Sequence, residues 1–171
     1  SFRHVPNLPI SQFYRVAVDN TEPFYNILGG AQDLGTLFGP SRTTGVEGVR
    51  SQDWSVTLGA DGYHVAFDPD NSDICYMEWQ NGNVMRMDRR TMELQDIQPQ
   101  GADDDDPERW NWDCPILVSP HSAGTIYVAS QRVWRSADRG DSWTAISGDL
   151  TRNINRYELP VDLADEGGLV Q

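Results

Sequence analysis

The sequence predicts an all-β chain of about three repeated four-stranded units, and three observations predict it. Short apolar or alternating runs recur along the chain between clusters of Gly, Pro, Asn and Asp, and no stretch carries a helical period. The runs repeat with a period of about 50 residues. Tyr25, Tyr76 and Tyr127 are spaced 51 apart, Asp68-Pro69 matches Ser119-Pro120, and Val84-Met85-Arg86 matches Val133-Trp134-Arg135. Third, residues 125–150 pass through three strands with almost no loop, turning over at Ser136-Ala-Asp138-Arg-Gly140-Asp-Ser-Trp143. Four strands per repeat of that length is the pattern of β-propeller blades. A sandwich has similar strand spacing, but it does not require an internal repeat.

In order, residues 1–12 are a proline-punctuated, extended lead-in. Residues 13–58 form the first blade, with strands predicted at 13–20, 24–29, 34–38 and 54–58. Residues 61–98 form the second, with strands at 63–67, 74–79, 83–87 and 92–97. Residues 99–112 form an acidic loop containing Asp103–Asp106. Calcium is the ligand to weigh there, but four consecutive acids repel one another and lack alternating ligand spacing. Residues 113–151 form the third blade, with strands at 115–118, 125–130, 132–136 and 142–147. Residues 152–171 read as a tail leading towards a further blade. Three blades are fewer than the four to eight typical of a closed ring. The chain is therefore expected to belong to a larger propeller, its outer faces covered by further blades or another subunit. Trp54, Trp134 and Trp143 are the residues expected to fill the seams between blades.

The turn at Ser136–Trp143 has a definite physical logic. Asp138 can accept hydrogen bonds from the turn's own N–H groups, Gly140 supplies a positive φ, and Trp143 has the bulk to wedge between sheets. Its alanine variant at Asp138 is expected to destabilise the fold without touching a ligand. Asp88 stands near the same position in the second unit, where no Gly or Trp follows it.

Composition narrows the function classes. There are 26 acidic against 13 basic residues, a net charge of −13, and every basic residue is arginine. Nucleic acid is not an expected partner, because phosphate binding needs a concentrated basic face. The lysine-free acidic surface fits either a high-salt environment or a GC-rich genome. No apolar run reaches membrane-span length. Cys75 and Cys114 lie in no metal-ligand spacing. They are read as two buried free thiols, with a disulfide between neighbouring blades as the alternative. No metal or cofactor is expected.

In a propeller the loop approaching each first strand and the turn between strands two and three share one mouth, while the turn between strands three and four lies opposite. This gathers Gln32, Asp33, Asp61, His64, Gln80, Asn81, Trp112, Asp113, Gln131 and Arg132 on one rim. Acids beside an exposed ring suit a sugar groove. If the rim is catalytic, Asp61 and Asp113 are the candidate pair, since glycoside hydrolysis needs two carboxyls set about 5–10 Å apart. Each has a structural alternative. Asp61 lies in a Gly-Ala-Asp-Gly turn it can cap itself, Trp112 can pack within a blade, and His64 can be a satisfied channel residue.

The turn at 136–143 resembles the Asp box of BNR-type repeats, found in sialidases, xyloglucanase-type hydrolases and sortilin-like receptors. Together with Gly30–Asp33, Gly59–Pro69, Asn111–His121 and Arg135–Asn153, it makes the chain similar to large secreted bacterial proteins with sortilin-type BNR propellers. The resemblance implies a propeller with many blades, an exported protein, and a glycan or protein ligand. It carries no catalytic residue onto this chain, for the arginine cluster of sialidases is missing.

Overall fold

The computed structural model of the chain describes residues 11–102, 107–155 and 158. The lead-in up to residue 10, the acidic run 103–106 and nearly all of the tail lie outside the described residues. Among the described residues, twelve strands form three antiparallel sheets of four, each in simple sequential order. The first holds β1 (Phe13–Val18), β2 (Asn26–Ala31), β3 (Gly35–Pro40) and β4 (Ser55–Leu58), with a 3₁₀ turn at Ser51–Asp53. The second holds β5 (Val65–Phe67), β6 (Ile74–Trp79), β7 (Asn83–Asp88) and β8 (Glu93–Asp96). The third holds β9 (Ile116–Val118), β10 (Ile126–Ala129), β11 (Val133–Ser136) and β12 (Thr144–Ala145). The first strands lie side by side, β1 against β5 and β5 against β9, so the sheets fan out like propeller blades.

The core is two seams rather than one interior. Leu28 and Leu58 of the first sheet meet Val65, Phe67, Cys75, Met77 and Met87 of the second. Tyr76, Val84 and Ile97 of the second meet Ile116, Ile126, Val128 and Trp134 of the third. Alternation along β6 explains how one strand serves both seams, with Cys75 and Met77 on one face and Tyr76 on the other. Cys75 and Cys114 are buried free thiols, and burial pushes each pKa up to about 12.

Two expectations need correction. Tyr25 stands ahead of β2 and is exposed. The turn bonds Asp19 N–H to Asn26 O, Asp68 N–H to Ile74 O and Ser119 N–H to Thr125 O fix the true alignment, which puts Leu28 level with Tyr76 and Tyr127. Asp19 and Asp68 are 49 residues apart where Asp68 and Ser119 are 51 apart, and the first turn is one residue longer than the others, so equal spacing along the chain does not mean equal place in the blade. Trp54 lies over Gly39 of its own sheet, whereas Trp134 is buried in the second seam and Trp143 packs beside it. The outer faces are not covered by the described residues: Val16, Val18 and Val56 on the first sheet and Leu117 on the third are exposed.

The same alignment shows a repeated link across the seams. The backbone bonds Arg89 N–H to Asp73 O and Arg139 N–H to Gly124 O make these two arginines equivalent. Arg89 reaches Asp19 of the preceding blade at 3.4 Å, and Arg139 reaches Asp68 at 2.8 Å. Both carboxylates are fully buried. At the outer faces the corresponding positions are serines. Ser41 bonds Tyr25 O in the arginine's place, and Ser119 occupies the aspartate's.

In the turn at 136–143, Asp138 accepts from Ser136 Oγ at 2.7 Å, Ser142 N–H at 2.9 Å and Ser142 Oγ at 2.5 Å. These bonds, led by the two serine hydroxyls, hold its pKa down at about 2. Asp138 is nevertheless exposed, and the buried amide of Gly140 donates to Ser136 Oγ instead, at 2.8 Å. Trp143 anchors the turn to the second blade by donating from Nε1 to Ile97 O at 2.8 Å. Ser136→Ala therefore strands a buried N–H, and is expected to cost about 1–3 kcal/mol. Asp138→Ala frees the exposed Ser142 groups and the Ser136 hydroxyl proton, but the buried Gly140 amide keeps its acceptor on Ser136 Oγ. Thermal melts should rank Ser136→Ala as the more damaging; the reverse order would overturn this division of labour.

Candidate functional site

The rim forms because each strand-two-to-three turn is tied to the segment approaching the next blade. Asp33 turns with φ 60° and its N–H donates to Asp61 Oδ1 at 2.7 Å. Asn81 turns with φ 64° and its N–H donates to Trp112 O at 3.2 Å. Asn and Asp tolerate this left-handed conformation better than other side-chain-bearing residues. Gly82 follows with φ 71°, and any Cβ there would strike the Trp110 ring at 2.3 Å. Trp110 is thus the packing indole, and Trp112 is left 52% exposed.

Around the mouth, the Tyr14 and Tyr63 rings lie 5.1 Å apart, and Tyr63 and His64 lie 5.3 Å apart. The Arg15 guanidinium sits 5.8 Å over Tyr63 and donates from Nε to His64 Nε2 at 3.4 Å. On the other side of the ring, Ile116 N–H points at His64 Nδ1, also at 3.4 Å. A neutral imidazole accepts only one of these at a time. Burial, then the Arg15 charge, lowers the His64 pKa, so the ring is a neutral linker between blades. Desolvation raises the Tyr14 pKa first, and the carboxylates of Asp61, Asp113 and Asp33 add to it in that order. The two acids expected as a pair thus share the neighbourhood of one phenol.

The residue that sequence reasoning missed is Glu78, near the end of β6. It is fully buried, with Oε1 accepting from Cys114 N–H at 3.2 Å and Oε2 without a partner. Burial pushes its pKa up to about 8, and Asp113 adds to the shift, while backbone groups of Cys114, His64 and Gly82 oppose it. The sign that could have found it is the lone acid inside the otherwise apolar run Ile74–Trp79.

The other expected rim residues divide cleanly. Gln32, Asp33 and Asn81 are exposed, and Gln80 is half-buried with its carbonyl accepting from Asn83 at 2.6 Å. Gln131 is buried, its side chain accepting from Arg109 N–H at 2.8 Å and its carbonyl from Leu150 N–H at 2.8 Å. Arg132 is paired with the buried Glu108 at 2.7 Å and lies 5.3 Å from the Trp134 ring. Glu108 also receives Trp134 Nε1–H at 3.2 Å and the Ser130 hydroxyl. Gln131 and Arg132 therefore hold the third turn in place. Among the described residues, no group of three or more His, Cys, Asp or Glu side chains is set to hold a metal ion. No helix among them is long and apolar enough to cross a membrane.

No protein-family model matches the chain, and no curated protein matches it in sequence. Among solved structures it is similar to apo AztD from Citrobacter koseri, with a TM-score of 0.51 and 16% identity over 86% of this chain. The match takes in 38% of that chain, so this one spans less than two-fifths of its length. At such identity the likeness speaks for the arrangement of blades alone.

Proposed function

We propose that the chain is an Asp-box-type β-propeller module of an exported protein, and that its rim binds a carbohydrate. The observation that carries the reading is Trp112, an indole 52% exposed beside Asp113 on a rim that also carries the Tyr14 and Tyr63 rings. An exposed ring stacks on a pyranose face, and the acids and amides at 32, 33, 61 and 81 accept and donate to hydroxyls. Further blades or a second subunit would cover the outer faces.

The second reading is a glycoside hydrolase using Asp61 and Asp113. It is favoured by the effect of both acids on Tyr14, and weakened by Asp61 Oδ1 being occupied by the Asp33 amide at 2.7 Å. The test is affinity electrophoresis and calorimetry against soluble xyloglucan, mixed-linkage β-glucan, xylan and chitooligosaccharides. At least one should bind, and Trp112→Ala should weaken it about tenfold, the loss of roughly 1.4 kcal/mol of stacking. Failure of every glycan to bind would overturn the proposal. Release of new reducing ends, abolished by Asp113→Asn, would favour the hydrolase.

A further inference from the structure

The two outer faces are built as seam faces, and they match each other. On the third blade Leu117 pairs with Tyr127, as Ala66 pairs with Tyr76 on the second. Ile146 N–H donates to Val133 O at 2.8 Å, as Ile97 N–H donates to Val84 O at 2.9 Å. Tyr127, Val133 and Ile146 therefore repeat Tyr76, Val84 and Ile97, the face that the second blade turns towards the third. On the first blade Val16 pairs with Gly29 and Val18 with Ile27, as Val65 pairs with Met77 and Phe67 with Cys75 on the second. The outer face of the first blade thus repeats the face that the second turns towards the first. Gly29 and Gly39 stand in the places of Met77 and Met87, and the rings of Phe13 and Trp54 lie over them and restore the missing bulk.

Charge selects the occupant. In each internal seam the later blade brings an arginine and the earlier one a buried aspartate, Arg89 to Asp19 and Arg139 to Asp68. The first blade carries Ser41 in the arginine's place, and the third carries Ser119 in the aspartate's. A neighbour with the usual aspartate would strand it against Ser41, and one with the usual arginine would find no carboxylate at Ser119. The third blade of one copy and the first blade of another meet with neither charge present. A hydrogen-bond donor is in place as well. Trp54 stands one residue ahead of β4, as Trp143 stands one residue ahead of β12. Trp143 donates across the second seam from Nε1 to Ile97 O at 2.8 Å. On the third blade the Ile97 place belongs to Ile146, whose carbonyl is the matching acceptor for Trp54 of the second copy.

We propose that two copies of the chain join head to tail, the third blade of each against the first blade of the other, and close a six-blade ring. A contact between two unlike faces repeats until it closes on itself. Two three-blade wedges stay within the range of about four to eight blades at which propellers close, and three wedges exceed it. Closure covers Val16, Val18, Leu117 and Ile146, each more than half exposed in the single chain.

Sedimentation equilibrium of the full chain should give twice the monomer mass and no larger species. Ser119→Asp sets a carboxylate in both closing seams with no arginine to meet it, and should weaken dimerisation about a hundredfold or more. Adding Ser41→Arg to that variant should recover most of the loss. Trp54→Phe should weaken dimerisation about fivefold, the loss of one hydrogen bond per seam. Leu117→Asp alters a side chain exposed in the single chain, and should give a monomer with the parent's far-UV circular dichroism. A monomeric parent chain overturns the inference, whether its terminal segments cover the open faces or leave them bare. So does a dimer indifferent to Ser119→Asp and Leu117→Asp, a double variant no tighter than Ser119→Asp alone, or an assembly larger than two. None of these results depends on what the rim binds.

Discussion

Glu78→Gln is expected to abolish most of the chain's loss of stability between pH 5 and 8. The carboxyl has an ordinary pKa of 4.5 when the chain is unfolded and about 8 when it is folded. The folded state therefore holds the proton more tightly. Its contribution is complete below 4.5, drains away as pH rises to 8, and is constant above that. At about 1.36 kcal/mol per unit, the parent chain should lose on the order of 3–5 kcal/mol across the window. That is a large share of the roughly 5–15 kcal/mol that holds an ordinary domain together. Glutamine keeps the shape and the acceptor for Cys114 N–H but cannot ionise. Denaturant midpoints at pH 5, 6, 7, 8 and 9 provide the check, and the difference between the two proteins cancels every other titrating group. Curves that run parallel would show that the buried carboxyl does not hold its proton. Asp113→Asn is an independent lever, since removing that charge should move the steep region to lower pH.

What could be read in the sequence was whatever the chain settles over a few residues. The Ser136–Trp143 turn was legible because Ser136, Asp138 and Gly140 satisfy one another within five positions. Most strands were legible from alternation, and β6 was read at its observed bounds, Ile74–Trp79. Their places in the blade were less so, because turn length and the length of the whole unit together decide register: Tyr25 looked equivalent to Tyr76 while Leu28 holds that place. Nor could Trp112 be told from Trp110 by type. The close approach of Gly82 to Trp110, 28 residues away, decides which indole turns in. The buried acids were the least legible. Glu78 is satisfied from 36 residues away, Asp68 from 71 and Asp19 from 70. Glu78 shows itself locally only as the one acid in the run Ile74–Trp79, and the partner that each of the three meets across a seam arrives from the next blade.

Arg139→Ala is expected to cost about 3 kcal/mol, nearly all of it at the seam between the second and third blades. Asp68 is fully enclosed and keeps its bonds to the Asp70 amide at 3.0 Å, the Asn71 amide at 3.1 Å and the Tyr76 hydroxyl at 3.4 Å. None of these carries a charge, so removing the guanidinium leaves an uncompensated buried carboxylate. Arg139 is itself 38% exposed, which puts the cost at the lower end of the range for a broken buried pair. Asp68→Asn alone confronts the arginine with an amide that has nothing to neutralise it. With Asp68→Asn and Arg139→Met together, no charge remains to be stranded, and the double variant should lose less than the sum of the singles by about 1–3 kcal/mol. Urea unfolding of the four proteins measures that coupling, and strict additivity would mean the pair is incidental. The Arg89–Asp19 pair at 3.4 Å is longer, so its own cycle should give a smaller coupling. Ser41 and Ser119 fit the same account. At the two outer faces no blade among the described residues brings the opposite charge, and there the sequence places hydroxyls instead of an arginine and an aspartate. Introducing Asp at 119 should be tolerated while that face is open to water, and should destabilise any seam formed there with a blade lacking the matching arginine.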